Sequence, residues 1–149
     1  MKSFGVLFAS DLQTERVPFT VTDDTGKELE CWVDLRPMDS GHLDDFNVAG
    51  CEVRMVNDGA GMRQEIGKID IGARNRFLVS RTLVGWQMWR RQYNAGVPIG
   101  WMQDVPSEVT RQREGAIESG EWRTERAFWE WLVGECLRVN GMTEQDAGN

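Results

Sequence analysis

One histidine, three cysteines, four prolines and a single tyrosine leave this 149-residue chain short of the residue types that most often carry chemistry. It also lacks long apolar runs: nothing approaches the roughly 18 consecutive apolar residues that a membrane helix needs. The stretch Met1 to Asp11 has one lysine and an apolar segment of about five residues, shorter than a signal-peptide core. A secreted or membrane-embedded product is therefore not expected. Cys31, Cys51 and Cys136 are widely spaced, form no CxxC pair and have only His42 as a histidine companion. That pattern argues against a disulfide framework and against a zinc site, and for reduced core thiols in a cytoplasm.

The same scarcity reaches catalysis. His42 follows a glycine at the expected start of a helix and has no serine or cysteine at a recognisable spacing, so it reads as a structural or solvent-exposed histidine. Asp44 and Asp45 are neighbours, and adjacent helical residues point about 100° apart. They read as helix-dipole partners in a first turn, not as an acid/base pair. Gly59-Ala60-Gly61 lacks the third spaced glycine and the preceding strand of a dinucleotide fingerprint, and no GxxxxGK[ST] occurs. No catalytic residue, metal or cofactor is assigned, and the chain is expected not to be an enzyme.

What is present is acidic overall, with a net charge of −7, but unevenly so. Residues 1–60 carry 5 basic and 12 acidic side chains, 61–113 carry 9 and 4, and 114–149 carry 3 and 8. A basic middle between acidic ends is either matched within the chain or sets head-to-tail attraction between copies. The acidic total disfavours nucleic acid, whose binding rests on phosphate neutralisation. Arginines near Trp86 and Trp89 therefore read as side chains whose stems lie along apolar surface.

The length suits one domain, assigned to residues 1–141, with a polar flexible tail over 142–149. Val17, Phe19 and Val21, then Leu29, Cys31, Val33 and Leu35, alternate with polar neighbours around Asp23-Asp24-Thr25-Gly26. This predicts a β-hairpin over about 17–36. Later segments run at helical spacing and predict helices over about 39–57, 73–91, 104–119 and 121–139. Asp39 or Ser40 caps the first, Asn57 to Gly61 has the composition of a turn, and Gly120 and Asn140-Gly141 close the last two. Residues 62–72 fit an apolar loop, a short strand or a helix start equally well. The expected fold is thus α+β, a mainly α-helical domain with an N-terminal β-hairpin. Its expected core includes Phe19, Val33, Leu35, Phe46, Phe77, Leu83, Val84, Trp129, Leu132 and Cys136.

Seven tryptophans in a chain of this length are more than a core of this size requires. Tryptophan and arginine are also the residues most enriched at binding hot spots. Trp32 on the polar side of its strand is either covered by the chain or open to a partner, and Trp129 and Trp131 cannot both sit centrally on one helix face. Trp32, Arg90, Arg91 and Trp131 are left without a core role and become the candidate partner-binding residues.

Two segments carry a resemblance. Glu30-Cys31-Trp32-Val33-Asp34-Leu35-Arg36-Pro37-Met38, a strand running into an acidic-capped helix, is similar to the Trp-Val-acidic-Leu-Arg segment near the front of tail assembly chaperones of long-tailed bacteriophages. Phe77-Leu78-Val79 through Leu83-Val84-Gly85-Trp86, followed by Val97-Pro98-Ile99 and Asp104-Val105-Pro106, resembles a second stretch of that family. The continuation Gln87-Met88-Trp89-Arg90-Arg91 departs from its pattern, and residues 57–72 have no counterpart in it. The resemblance implies a protein of the host cell cytoplasm that self-associates, binds the tape measure protein and helps recruit tail tube protein. The alternatives from the residues are a small structural or connector protein of the virion, and a small nucleic-acid-binding regulator.

Overall fold

The computed structural model describes residues 1–5, 12–95, 97–104 and 111–143. The expected N-terminal hairpin is there: β1 (Glu15–Thr22) pairs antiparallel with β2 (Glu28–Leu35), with Phe19 opposite Cys31 and Val17 opposite Val33. Its turn is built locally. The Asp23 carboxylate accepts from the backbone N–H of Thr25 at 2.9 Å and of Lys27 at 3.0 Å. Gly26 takes the left-handed φ of +84° that a side chain would resist.

The expectation of a mainly helical domain is overturned: strand is as extensive as helix, and all pairings are antiparallel. Asp39 does cap α1 (Ser40–Val48), its carboxylate accepting from His42 N at 2.8 Å. The helix does not run on to residue 57, because Gly50 turns the chain with φ +70°. β3 (Cys51–Asn57) and β4 (Met62–Ile69) follow as a separate two-stranded hairpin, with 57–61 as its turn. Asp44 and Asp45 lie past the first turn of α1, where the dipole no longer acts on them strongly.

The helix expected over 73–91 is α2 (Ile71–Thr82), which passes without a loop into β5 (Leu83–Asn94). The residues after Thr82 have apolar positions compatible with either period, and pairing on both edges decides the matter. β5 lies between β2 and β6 (Val97–Asp104), giving the sheet order β1-β2-β5-β6. Trp86 sits opposite Val33, and both are fully buried. Val84 falls where the β2–β5 register shifts and is only half-buried, so it leaves the expected core.

α3 (Arg111–Ser119) ends where the expected 104–119 helix does, and α4 (Arg126–Val139) starts later than the expected 121–139. Asp104 belongs to β6, residues 105–110 lie outside the described set, and so does the expected tail beyond Thr143. α2 packs on α3 and α4. The buried cluster joins Val33, Leu35, Leu83 and Trp86 of the sheet to Phe77, Leu78 and Val79 of α2, Ile117 of α3, and Leu132, Val133 and Cys136 of α4. Phe46 of α1 belongs to it as well, while Phe19 and Trp129 pack at its margin. Among the described residues no helix is long and apolar enough to cross a membrane.

Candidate functional site

A groove of about 1000 Å³ lies between one end of the four-stranded sheet and the start of α4. β1 supplies Phe19, β5 supplies Met88 to Arg91, and β6 supplies Trp101 and Asp104. The opposite wall is Trp122 to Glu125 together with Phe128 and Trp131 of α4.

The chain reaches this wall through the end of α3. Gly120, at φ +86°, reverses the backbone, and Trp122 N–H donates to the Ala116 carbonyl at 3.1 Å, which closes α3 and turns Trp122 inward. The Trp122 ring then lies 5.6 Å from Trp86 and 6.3 Å from Trp129, centroid to centroid. A second aromatic group forms beside it: Phe19 is 5.2 Å from both Phe128 and Trp131, which are 5.8 Å from each other. Tilted and edge-on ring contacts at these separations are favourable beyond their area burial.

Charge is distributed around this apolar surface. Arg90 is exposed, as is Arg123. Arg91 is ion-paired with Asp24 of the β1–β2 turn, and its guanidinium stands 5.1 Å from the Trp101 ring. Asp104 accepts from Trp86 Nε1 at 3.3 Å and lies 3.9 Å from Arg113, whose guanidinium is 5.2 Å from the Trp86 ring. The Trp101 Nε1–H is buried and has no acceptor among the described residues.

Of the four residues expected to bind a partner, Arg90, Arg91 and Trp131 meet at this groove. Trp32 does not line it. Trp32 lies on the sheet face opposite the buried cluster, with the Arg16 guanidinium 3.6 Å from its ring and Arg16 in turn held by Asp34 at 2.9 Å. Trp131 is not free of the core either, since it packs against the buried cluster through Phe19 and Phe128. Sequence reading missed Phe19, Trp89, Trp101, Trp122 and Phe128 as groove residues. Residues 86–91 carry no clean apolar/polar alternation that would have marked them as strand.

The basic middle is partly matched within the chain, Arg91 to Asp24 and Arg81 to Glu118 at 3.3 Å. Burial pushes the thiols of Cys31 and Cys136 up, which disfavours the thiolate at both. Cys51 is half-buried, its Sγ 3.8 Å from the Asn47 carbonyl. His42 stands 3.7 Å from the Asp39 carboxylate at the start of α1. Among the described residues no three His, Cys, Asp or Glu side chains are grouped to share a metal ion. The groove itself offers apolar area, ring faces and cations. Comparison with family models, with curated proteins and with solved structures finds no match.

Proposed function

We propose that this chain works by binding another protein in the aromatic groove, as a tail assembly chaperone of a long-tailed phage that holds the tape measure protein and helps bring tail tube subunits to it. The observation that carries the binding role is the groove itself, in which the rings of Phe19, Trp122, Phe128 and Trp131 share one lining with the exposed Arg90. Rigid aromatic walls beside exposed cations have the composition of interface hot spots. A tape measure helix needs an apolar face shielded before assembly, and a groove of this chemistry fits helix-in-groove recognition. The finer assignment is supported by the segment Glu30 to Met38, in which a strand, Pro37 and an Asp39-capped helix follow one another. The second family-like segment lends less support, since Trp86 belongs to a strand and not to the end of a helix.

The test is co-expression with the tape measure protein, followed by pull-down and titration calorimetry. Arg90→Glu leaves the packed rings in place and should weaken binding about tenfold, a change of roughly 1.4 kcal/mol. Trp131→Ala should weaken it by about 2 kcal/mol or more. Because Trp131 also packs on Phe19, its variant must first be checked for folding by circular dichroism. Unchanged affinity in both variants would remove the groove from the reading. Failure of the wild type to bind or solubilise the tape measure protein would remove the chaperone assignment.

A further inference from the structure

The lining of the aromatic groove holds three arginines, Arg90, Arg91 and Arg123, against two carboxylates, Asp104 and Glu125, so it is basic on a chain whose total is −7. Two of these five charges are used within the chain: Arg91 is paired with Asp24, and Asp104 with Arg113. Arg90 and Arg123 are both exposed, and among the described residues neither has a hydrogen-bonding or ion-pairing partner. They come from opposite walls, Arg90 from β5 and Arg123 from the turn between α3 and α4.

Arginines elsewhere on the molecule are mostly matched. Arg16, Arg81, Arg126 and Arg138 are each held by a carboxylate of the chain. With acidic side chains in excess, two exposed arginines left without one, on the two walls of a single ring-lined groove, are charges available to an occupant.

We propose that the segment bound in the groove is an amphipathic helix whose apolar stripe is flanked on both sides by carboxylates, one row meeting Arg90 and the other Arg123. This rests on the reading of the groove as a protein-binding site and adds the chemistry of the partner. An apolar stripe repeating every three and four residues fills the ring-lined surface, and the flanking carboxylates match the charges that the chain leaves open. Exposed pairs of this kind add little affinity, but they select the partner and speed its encounter. A nucleic-acid strand also brings negative charge and stackable faces. Its phosphates form a continuous row, however, and Asp104 and Glu125 stand in the same lining on a chain of net charge −7. Carboxylates on a helix can be spaced to avoid both.

The test uses the full chain and three synthetic helical peptides that share one apolar stripe and differ only at the flanking positions, which are all Glu, all Gln or all Lys. At low salt the Glu peptide should bind about tenfold more tightly than the Lys peptide, with the Gln peptide between them. The preference should collapse near 1 M salt, where the screening length is about 3 Å. Arg90→Glu with Arg123→Glu should invert the order with circular dichroism unchanged, and Arg90→Gln with Arg123→Gln should erase it. Arg63→Gln, on the separate hairpin, should leave the order as it is. No binding of the Glu peptide, no selectivity among the three, selectivity that survives high salt, or an order indifferent to both arginine pairs would each overturn the proposal. So would tighter binding of an oligothymidylate than of the Glu peptide, or a dimer of the chain that the arginine pair variants dissolve. Selectivity for the Glu peptide without binding of the tape measure protein would remove the chaperone assignment and leave this inference standing. Binding of the tape measure protein without charge selectivity would do the reverse.

Discussion

The side-chain amide of Asn140 donates to the Thr82 hydroxyl at 3.1 Å, across 58 positions of sequence. The same amide donates to the Cys136 carbonyl at 2.7 Å, and its oxygen accepts from Met38 N–H at 2.7 Å. One side chain thus ties the end of α4 to the junction of α2 with β5 and to the entrance of α1. Thr82 is fully buried, so its hydroxyl has no water to turn to.

Asn140→Ala should therefore destabilise the fold by roughly 1–3 kcal/mol, the usual cost of leaving buried polar groups unpaired. Urea unfolding followed by tryptophan fluorescence measures it. A midpoint equal to that of the wild type would show that the amide network contributes nothing net.

Two glycines should respond in opposite directions to alanine. A Cβ on Gly50 would lie 2.4 Å from the Asp70 carbonyl oxygen at φ +70°, so Gly50→Ala must displace backbone where the inserted hairpin is anchored. Gly134 lies inside α4 with nothing within 4 Å of a Cβ, and Gly134→Ala should stabilise by about 0.5–1 kcal/mol through helix propensity. Thermal melts of the two variants check both signs, and a gain at Gly50 would contradict the close approach.

Acid should remove a specific part of the stability. Arg138 donates to Glu15 and, against an opposing effect of desolvation, holds its carboxyl below the ordinary value of 4.5. Hydrogen bonds led by the Thr25 hydroxyl hold Asp23 below 3.8. Both groups are depressed on folding, so their contribution is present in full above the unfolded values and is lost as pH falls through the folded ones. The loss attributable to Glu15 should set in below about pH 4.5. Glu15→Gln should flatten that part of the decline in urea midpoints. An equally steep decline in the variant would assign it to other groups.

The parts of the fold that were legible in the sequence are those made by neighbours. The β1–β2 hairpin has its alternation, its Asp-Asp-Thr-Gly turn and its pairing within one short stretch, and Asp39 announces α1 by capping a nearby backbone N–H. The end of α1 was hidden because Phe46, Gly50 and Val53 keep a helical spacing straight through the φ +70° turn. β5 was hidden in the same way. Leu83, Val84 and Trp86 extend the helical pattern of Phe77 to Val79, and only pairing with β2 and β6 makes them strand.

The candidate site divides along the same line. Arg90, Arg91 and Trp131 stood out by type, as tryptophans and arginines in excess of a core's needs. That Phe19 would join Phe128 and Trp131, or that Trp122 would stand between Trp86 and Trp129, depends on docking elements far apart in sequence. Trp32 was the reverse case, its ring covered by an arginine from the adjacent strand.

The pairing of β2 with β5, continued by the Arg36 N–H donating to the Thr82 carbonyl at 2.9 Å, also bears on how the chain reaches its fold. The β1–β2 and β5–β6 hairpins close from local sequence, whereas the seam between them needs α1, the inserted hairpin and α2 to be synthesised first. Such high-contact-order seams set folding rates, because the entropy of closing the intervening loop is spent before the pairing rewards it. Until the seam forms, the inner edge of β2 is an open strand edge. The interval between synthesis of Leu35 and of Trp86 is therefore the period in which a nascent chain is most exposed to pairing with the wrong neighbour on a crowded ribosome.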